Sequence, residues 1–238
     1  MTQKQETPAI SFRDEFPCSY FSDGRVCTLE YLFPDSGCMH SFHEFLARGY
    51  RRQGTVFYRT VCRECAACKP LRLETERFRL SRSQKRTVRM NAGVSVRILP
   101  HPALTREKIE LYKKYQKTKH GDPDRGKIRE YEMILSGLHY GYPCAVEMNY
   151  SLGDALIGVG IVDEGEDVLS SNYFYYDTDH LDLRLGVYSI LREITLAQEM
   201  GKIFYYLGFY IEENEKMAYK KFFRPNQVLE GGKWKALW

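Results

Sequence analysis

The stretch Cys62-Arg63-Glu64-Cys65-Ala66-Ala67-Cys68-Lys69-Pro70 constrains this chain more than any other. Three thiols repeat at every third position, a spacing that suits a tight loop whose sulfurs converge on one centre, as the ligands of a zinc ion or an iron–sulfur cluster must. The loop lies inside a basic window. From Arg48 to Arg97 there are 14 Lys and Arg against 3 Asp and Glu, while the whole chain nets only +4. Positive charge is therefore concentrated and the remainder is net acidic, the footprint of a surface for a polyanion. The plainer alternatives are small buried thiols and a solvated basic face.

With 238 residues the chain is long enough for one large domain or two small ones with a real core. No apolar run reaches the roughly 18 residues that a bilayer span needs, and Met1 to Glu6 is polar, with no signal-peptide core. Seven cysteines, an odd number, without an export signal are expected to be reduced thiols in the cytoplasm rather than a disulfide framework. Cys27, Cys38 and Cys144 read as ordinary core cysteines. His40 and His43 read as surface histidines, and Glu212, Glu213 and Glu215 as an exposed acidic cap.

Periodicity and turn residues divide the chain into elements. Residues 1–15 read as a flexible lead, 27–33 as a strand, Pro34 to Gly37 as a turn, and Cys38 to Arg48 as a helix stopped by Gly49. Tyr50 to Val61 reads as a strand or hairpin turning at Gln53-Gly54, and Leu71 to Phe78 as a second strand. Ser81 to Asn91 is a basic loop or short helix, and Val94 to Leu99 a strand closed by Pro100. Thr105 can cap a helix running to about Lys117. The break His120-Gly121-Asp122-Pro123-Asp124 separates it from a second helix over Tyr131 to Leu138. Three strand candidates follow at 144–150, 156–162 and 168–176. A helix from Val187 to a stop at Gly201, a buried strand over 203–209 and a last helix over 215–223 complete the chain. Helix–helix–three strands–helix–strand–helix fits an α+β acyltransferase layout.

At this point an ordered set of motifs resembles a known family, the aminoacyl-tRNA–protein transferases of the N-degron pathway, and in particular its short bacterial leucyl-transferring members. The stretches that carry it are Cys18-Ser-Tyr with Gly24-Arg25, Phe45-Leu-Ala-Arg-Gly-Tyr-Arg-Arg-Gln-Gly54, Cys62-x-x-Cys65-x-x-Cys68, Phe78-x-x-Ser-Arg-Ser-Gln-Lys-Arg86 and Asn91. The second half adds Ser171 through Tyr175-Tyr176-Asp177, Leu185-Gly186, Glu193-Ile194, Tyr205 through Ile211, Met217-x-Tyr219-Lys220 and Arg224-Pro225. Two positions depart from the usual pattern: Asp23 stands where Pro precedes Gly-Arg, and Thr178 follows Tyr176-Asp177 in place of Pro. Neither removes a reactive group.

The resemblance implies an α+β chain with a small Cys-bearing N-terminal domain (1–100) packed on an N-acetyltransferase-like mixed-sheet domain (101–238). It implies transfer of an amino acid, leucine first and arginine as the alternative, from aminoacyl-tRNA to a protein N-terminus that begins with Asp or Glu, creating a degradation signal. Cys18 becomes the fourth ligand beside Cys62, Cys65 and Cys68 of a zinc or iron–sulfur centre. Ser83, Gln84, Asn91, Ser171, Tyr175 and Gly208 become substrate-binding positions. The protein is expected to act as a monomer, without ATP, acetyl-CoA or a membrane.

The reaction would be attack of a free α-amine on the ester that joins an amino acid to the tRNA 3′ end. That ester is already activated, so positioning, proton acceptance and oxyanion stabilisation suffice. Asp177, Tyr205 and Tyr206 are the catalytic candidates. An acidic first residue calls for a guanidinium that grips a carboxylate in two places, with Arg25, Arg51, Arg52 and Arg86 as candidates. Phosphates would be held by the basic window, and aromatic rings can stack on the unpaired 3′ end. An RNA-binding regulatory module with a structural zinc site is the competing class. An acetyl-CoA acetyltransferase is disfavoured because Leu183-Arg184-Leu185-Gly186-Val187-Tyr188 offers one glycine where a pyrophosphate turn needs several.

Overall fold

Strand-forming residues dominate both ends of the computed structural model, which describes residues 10–33, 42–121 and 128–237. The chain forms two compact units, Met1–Leu73 with Tyr206–Trp238, and Glu74–Tyr205. Pairing of Gln227 with Arg72 and Val228 with Leu71 draws the C-terminal segment onto the early strands, a long-range association that chain order does not announce.

The first unit opens with β1 (Ile10–Pro17), β2 (Val26–Phe33), α1 (Phe42–Ala47), β3 (Arg51–Gln53), β4 (Val56–Thr60) and β5 (Lys69–Glu74). The first four strands make an antiparallel sheet in the order β1-β2-β4-β3. Its inner face packs on α1, where Phe57 meets the rings of Phe42 and Phe45 at 5.8 and 4.8 Å. Glu30 lies on that face and accepts from Tyr50 at 2.6 Å and Arg13 at 2.9 Å, with Arg59 at 2.6 Å. Burial alone would raise its carboxyl, but these donors outweigh it and bring the pKa down to about 2.

Residues 10–15 are therefore part of a strand and not a flexible lead. Their alternation of Ile10, Phe12, Asp14 and Phe16 keeps one set of side chains on each face. Of the expected helix over 38–48, Phe42–Ala47 is helical as α1. Residues 34–41, which include the expected turn, Cys38 and His40, lie outside the described residues.

The second unit contains α2 (Arg82–Met90), β6 (Val94–Leu99), α3 (Arg106–His120), α4 (Ile128–Tyr140), β7 (Ala145–Leu152), β8 (Ala155–Glu164), β9 (Val168–Tyr176) and α5 (Leu185–Glu199). Strands β6 to β9 pair antiparallel in chain order. The Thr105 hydroxyl accepts the Lys108 amide at 3.4 Å and so caps α3, which ends at Gly121 with φ 64°. Residues 122–127, with the rest of the expected break, lie outside the described residues. Tyr112 of α3 meets Tyr173 and Tyr175 of β9 at 6.0 and 5.3 Å, and Tyr188 of α5 meets Tyr150 of β7 at 6.0 Å. Alternation along the strands puts these ring pairs on opposite faces, so the sheet is covered on both sides.

One charged group sits inside that covering. Glu147 of β7 is fully buried and is held by the Lys108 ammonium and by His139 Nδ1 at 3.0 Å. Burial opposes its charge, yet the hydrogen bonds from His139 and Lys108 keep its carboxyl below the usual range. The strand β10 (Phe204–Tyr210) carries the chain out of this unit.

In the first unit, α6 (Glu215–Ala218) continues into a 3-10 turn over Tyr219–Phe222, in place of one longer helix. A hairpin of β11 (Gln227–Glu230) and β12 (Lys233–Ala236) follows, beyond the elements expected from periodicity. The α+β class and the order helix–helix–three strands–helix–strand are as expected.

Candidate functional site

The loop between β4 and β5 gathers thiols in the first unit. Burial pushes Cys68 up to about 12, and Cys18, Cys62, Cys65 and Cys27 each act on it in the same direction. Cys27 is buried, as expected, but also belongs to this neighbourhood: burial, then Cys62, raises it to about 12. Two donors point at the sulfurs. The Thr28 amide reaches Cys62 Sγ at 3.3 Å, and Arg25 reaches Cys65 Sγ at 3.3 Å. The donor set thus has the chemistry of a thiolate-bound zinc or iron–sulfur centre. Its geometry does not close: among the described residues no three His, Cys, Asp or Glu side chains are placed to hold a metal ion. Cys144, expected in the core, is exposed.

The four arginines proposed for a carboxylate have different surroundings. Arg25 is gripped by Asp23 at 2.9 and 2.5 Å and covers the ring of Phe21 at 3.8 Å. Arg52 is buried and donates to the Gly54 carbonyl at 2.6 Å, tying the hairpin turn. Arg86 is exposed on α2 of the second unit. Arg51 is half-buried on β3 opposite Tyr58, with its guanidinium 5.8 Å from the Phe209 ring centroid. It lies against the backbone of Gly208, where φ is +83° and an added Cβ would fall 1.4 Å from Arg51 Nη1. Only glycine accepts both that backbone and that neighbour. The Tyr20 hydroxyl is close by: burial first, then Tyr58, pushes it up to about 12, with Arg51 opposing.

In the second unit, α2 is a basic helix fixed by its ends. Ser81 and Gln84 exchange hydrogen bonds as a capping box, at 2.8 and 3.3 Å. Asn91 is buried and donates to the carbonyls of Thr87 at 2.9 Å and Leu183 at 2.8 Å. Gln84 and Asn91 therefore position the helix, while Ser83, Arg82, Lys85, Arg86 and Arg89 are exposed on it. The helix carries no acid in its first turn.

Asp177 caps the 3-10 turn Thr178–Leu183 by accepting the Asp179 amide at 2.9 Å, and pairs with Lys114 at 2.5 Å. Burial opposes its charge, but Lys114 and that amide hold it below the ordinary Asp value, which weakens it as a base. Tyr205 is fully buried and donates to Glu193 Oε2 at 2.6 Å, with Ser171 beside it. Burial, then Glu193, raises its phenol far above the ordinary value. Tyr175 is fully buried as well, against Tyr112. Tyr206, in the first unit, is buried and accepts from Arg72 at 3.1 Å; burial raises it too. Both phenols keep their protons near neutral pH, so neither is a base, and Tyr205 donates where Tyr206 accepts.

Sequence reasoning missed the partners that give these residues meaning. Glu193 lies within a motif, but no spacing pairs it with Tyr205, and nothing in chain order links Arg51 to Gly208. The hairpin β11–β12 did carry a signal, Gly231-Gly232 between the apolar pair Val228-Leu229 and Trp234.

Two family models match the chain: the arginine-tRNA-protein transferase N terminus over residues 16–86 and its C terminus over 107–230. A curated relative from Chromobacterium violaceum, named aspartate/glutamate leucyltransferase, is 36% identical over 228 residues, covering 93% of this chain and 91% of the relative. One of the same name from Shewanella putrefaciens is 36% identical over 239 residues, covering 96% of both. Among solved structures, FemX matches with a TM-score of 0.51 at 11% identity, over 92% of this chain and 86% of that one, a likeness of fold. Motifs, models and relatives run the length of the chain in the same order, and the protein belongs to the aminoacyl-tRNA–protein transferase family.

Proposed function

We propose that this protein transfers leucine from Leu-tRNA to the α-amine of proteins that begin with Asp or Glu. The observation that carries the acceptor side is Arg51, half-buried against Gly208 and 5.8 Å from the Phe209 ring centroid. A half-buried guanidinium on a strand, beside a ring and against glycine backbone, can grip a carboxylate in two places. The leucine side follows the name that the relatives carry. Exposed cations on α2 supply phosphate contacts that position the tRNA.

In the step itself the acceptor nitrogen attacks the ester carbonyl, the C–N bond forms, and the bond to the tRNA 3′ oxygen breaks, with the amine proton passing to that oxygen. An α-amine with a pKa of about 8 is sufficiently free near neutral pH. Alignment of amine and ester then accounts for most of the rate, with protonated hydroxyls or amides near the carbonyl oxygen stabilising its charge. The four thiols have the right donors for zinc or an iron–sulfur cluster, but no step is routed through a metal.

Leu-tRNA and Arg-tRNA offered separately to peptides beginning with Asp, Glu or Ala test the reading. Leucine on the Asp and Glu peptides alone is expected. Arginine on the same peptides would keep the chemistry and replace the donor. Binding of uncharged tRNA without any transfer would return the chain to an RNA-binding role.

A further inference from the structure

Cys27 stands outside the spacing that joins Cys62, Cys65 and Cys68, yet the fold of the first unit sets it against their loop. Strands β2 and β4 pair in a register that runs from Leu32 opposite Phe57 to Leu29 opposite Thr60. One step further, the Val61 amide donates to the Thr28 carbonyl at 2.9 Å. The same register then brings Cys62 level with Cys27, beside that hydrogen-bonded pair. Pairs in this position lack bonds of their own, and their Cα atoms approach to about 4.5 Å, within the range of about 4.4–6.8 Å that a disulfide requires. The Cys62 sulfur is turned to this side. Its Sγ accepts the Thr28 amide at 3.3 Å and lies 3.9 Å from the Thr28 carbonyl oxygen, so it rests on the residue next to Cys27. Both cysteines are free thiols; Cys27 is only 8% exposed, whereas Cys62 is half-buried.

We propose that Cys27 and Cys62 are a site of reversible oxidation, joined as a disulfide when hydrogen peroxide reaches the loop. Exposure sets the order of events: Cys62 is attacked first and Cys27 resolves it. The Cys62 sulfur takes one peroxide oxygen as the O–O bond breaks, which leaves a sulfenic acid and one water. The Cys27 sulfur then attacks the Cys62 sulfur, the S–O bond breaks, and a second water leaves. Two thiols and one hydrogen peroxide thus give one disulfide and two waters; the peroxide gains two electrons and each sulfur gives one. A sulfenic acid without a neighbouring thiol goes on to a sulfinic acid, which thiols do not reduce, whereas a disulfide is returned by thiol exchange. Cys27 therefore keeps the loop recoverable, and the bond takes Cys62 out of the thiol set while it lasts. Cys65 and Cys68 suit this task less well. They follow Cys62 on the loop, beyond the ladder that aligns Cys27, and Cys65 is engaged by Arg25 at 3.3 Å.

The test treats the whole protein with hydrogen peroxide, blocks the remaining thiols by alkylation, and maps the peptides by mass spectrometry without reduction. Trypsin isolates Cys62 on residues 60–63, apart from Cys65 and Cys68 on residues 64–72, so the partner of Cys62 is read directly. Fragmentation separates Cys27 from Cys38 on their shared peptide. In the wild type the Cys62 peptide is expected to be joined to Cys27, and dithiothreitol to restore both thiols. In Cys27→Ser most of Cys62 is expected to become a sulfinic acid that dithiothreitol does not restore. Cys62 joined to Cys18, Cys65 or Cys68 in the wild type would overturn the assignment. So would sulfinic acid at Cys62 to the same extent in both proteins, or a Cys62 that stays reduced while the exposed Cys144 is consumed. Should Cys27→Ser fail to fold, the wild-type map decides alone: a Cys27–Cys62 bond supports the site, and any other fate of Cys62 rejects it.

Discussion

A methyl group at position 208 would fall 1.4 Å from Arg51 Nη1, on a backbone with φ +83°. Gly208→Ala is therefore expected to destabilise the fold by about 1–3 kcal/mol through the backbone alone and to push the guanidinium from its seat. Steady-state kinetics should show the KM for an Asp-initiated peptide rising about tenfold or more, with the KM for Leu-tRNA little changed. An unchanged acceptor KM would mean that Arg51 does not read the first residue. Asp177 belongs to the same scale. Its ties to Lys114 and to the turn that it caps make it a positioning residue, so Asp177→Asn is expected to lower kcat by less than about tenfold and to leave the acid limb of the pH–rate profile in place. Loss of that limb would restore Asp177 as the base. At single residues the sequence was legible where a motif had a local cause, as with Ser81, Gln84 and Thr105 at helix starts. It was silent where the cause lay across the fold, as with Gly208 under Arg51.

Helix α2 shows how an element separates scaffold from binding surface. Gln84, Thr87 and Asn91 are buried and hold the helix, while Arg82, Lys85, Arg86 and Arg89 face solvent. Replacing Arg82 and Arg86 together by Ala should weaken tRNA binding and reduce the slope of log K against log salt by about 2, one for each phosphate that is no longer neutralised. An unchanged slope in a binding titration would move the phosphate-binding positions elsewhere in the basic window. The elements themselves were mostly legible. Strong period-two and period-3.6 patterns gave β6 to β9, α3 to α5 and β10. Strand β1 was hidden because Arg13, Asp14 and Glu15 interrupt its apolar alternation, and their reason to be in a strand is the row facing β2, where Arg13 pairs with Glu30 and Glu15 with Thr28.

For the molecule as a whole, each unit hides a carboxylate that must stay charged: Glu30 in the first, brought to about 2, and Glu147 in the second, held below its usual range by His139 and Lys108. A depressed carboxyl contributes stability that is present above its unfolded pKa, roughly 4.3, and is lost as pH falls through its folded value. Melting temperatures should therefore drop steeply on acidification below about pH 4.3. Glu30→Gln should give a lower Tm at neutral pH and a flatter acid slope; the same slope as wild type would remove Glu30 from the acid response. The pairing of the C-terminal hairpin with β5 was the least legible feature, because it joins distant parts of the chain. The central claim is that an acceptor carboxylate is read by a guanidinium before leucine is transferred. Leucine transfer to two peptides that differ only in a first residue of Asp or Asn, equal in size and unequal in charge, tests it most directly. kcat/KM for the Asp peptide is expected to be at least about a hundredfold higher, as removal of a charge-assisted, two-point interaction implies; comparable values for the two peptides would rule out carboxylate reading by a guanidinium.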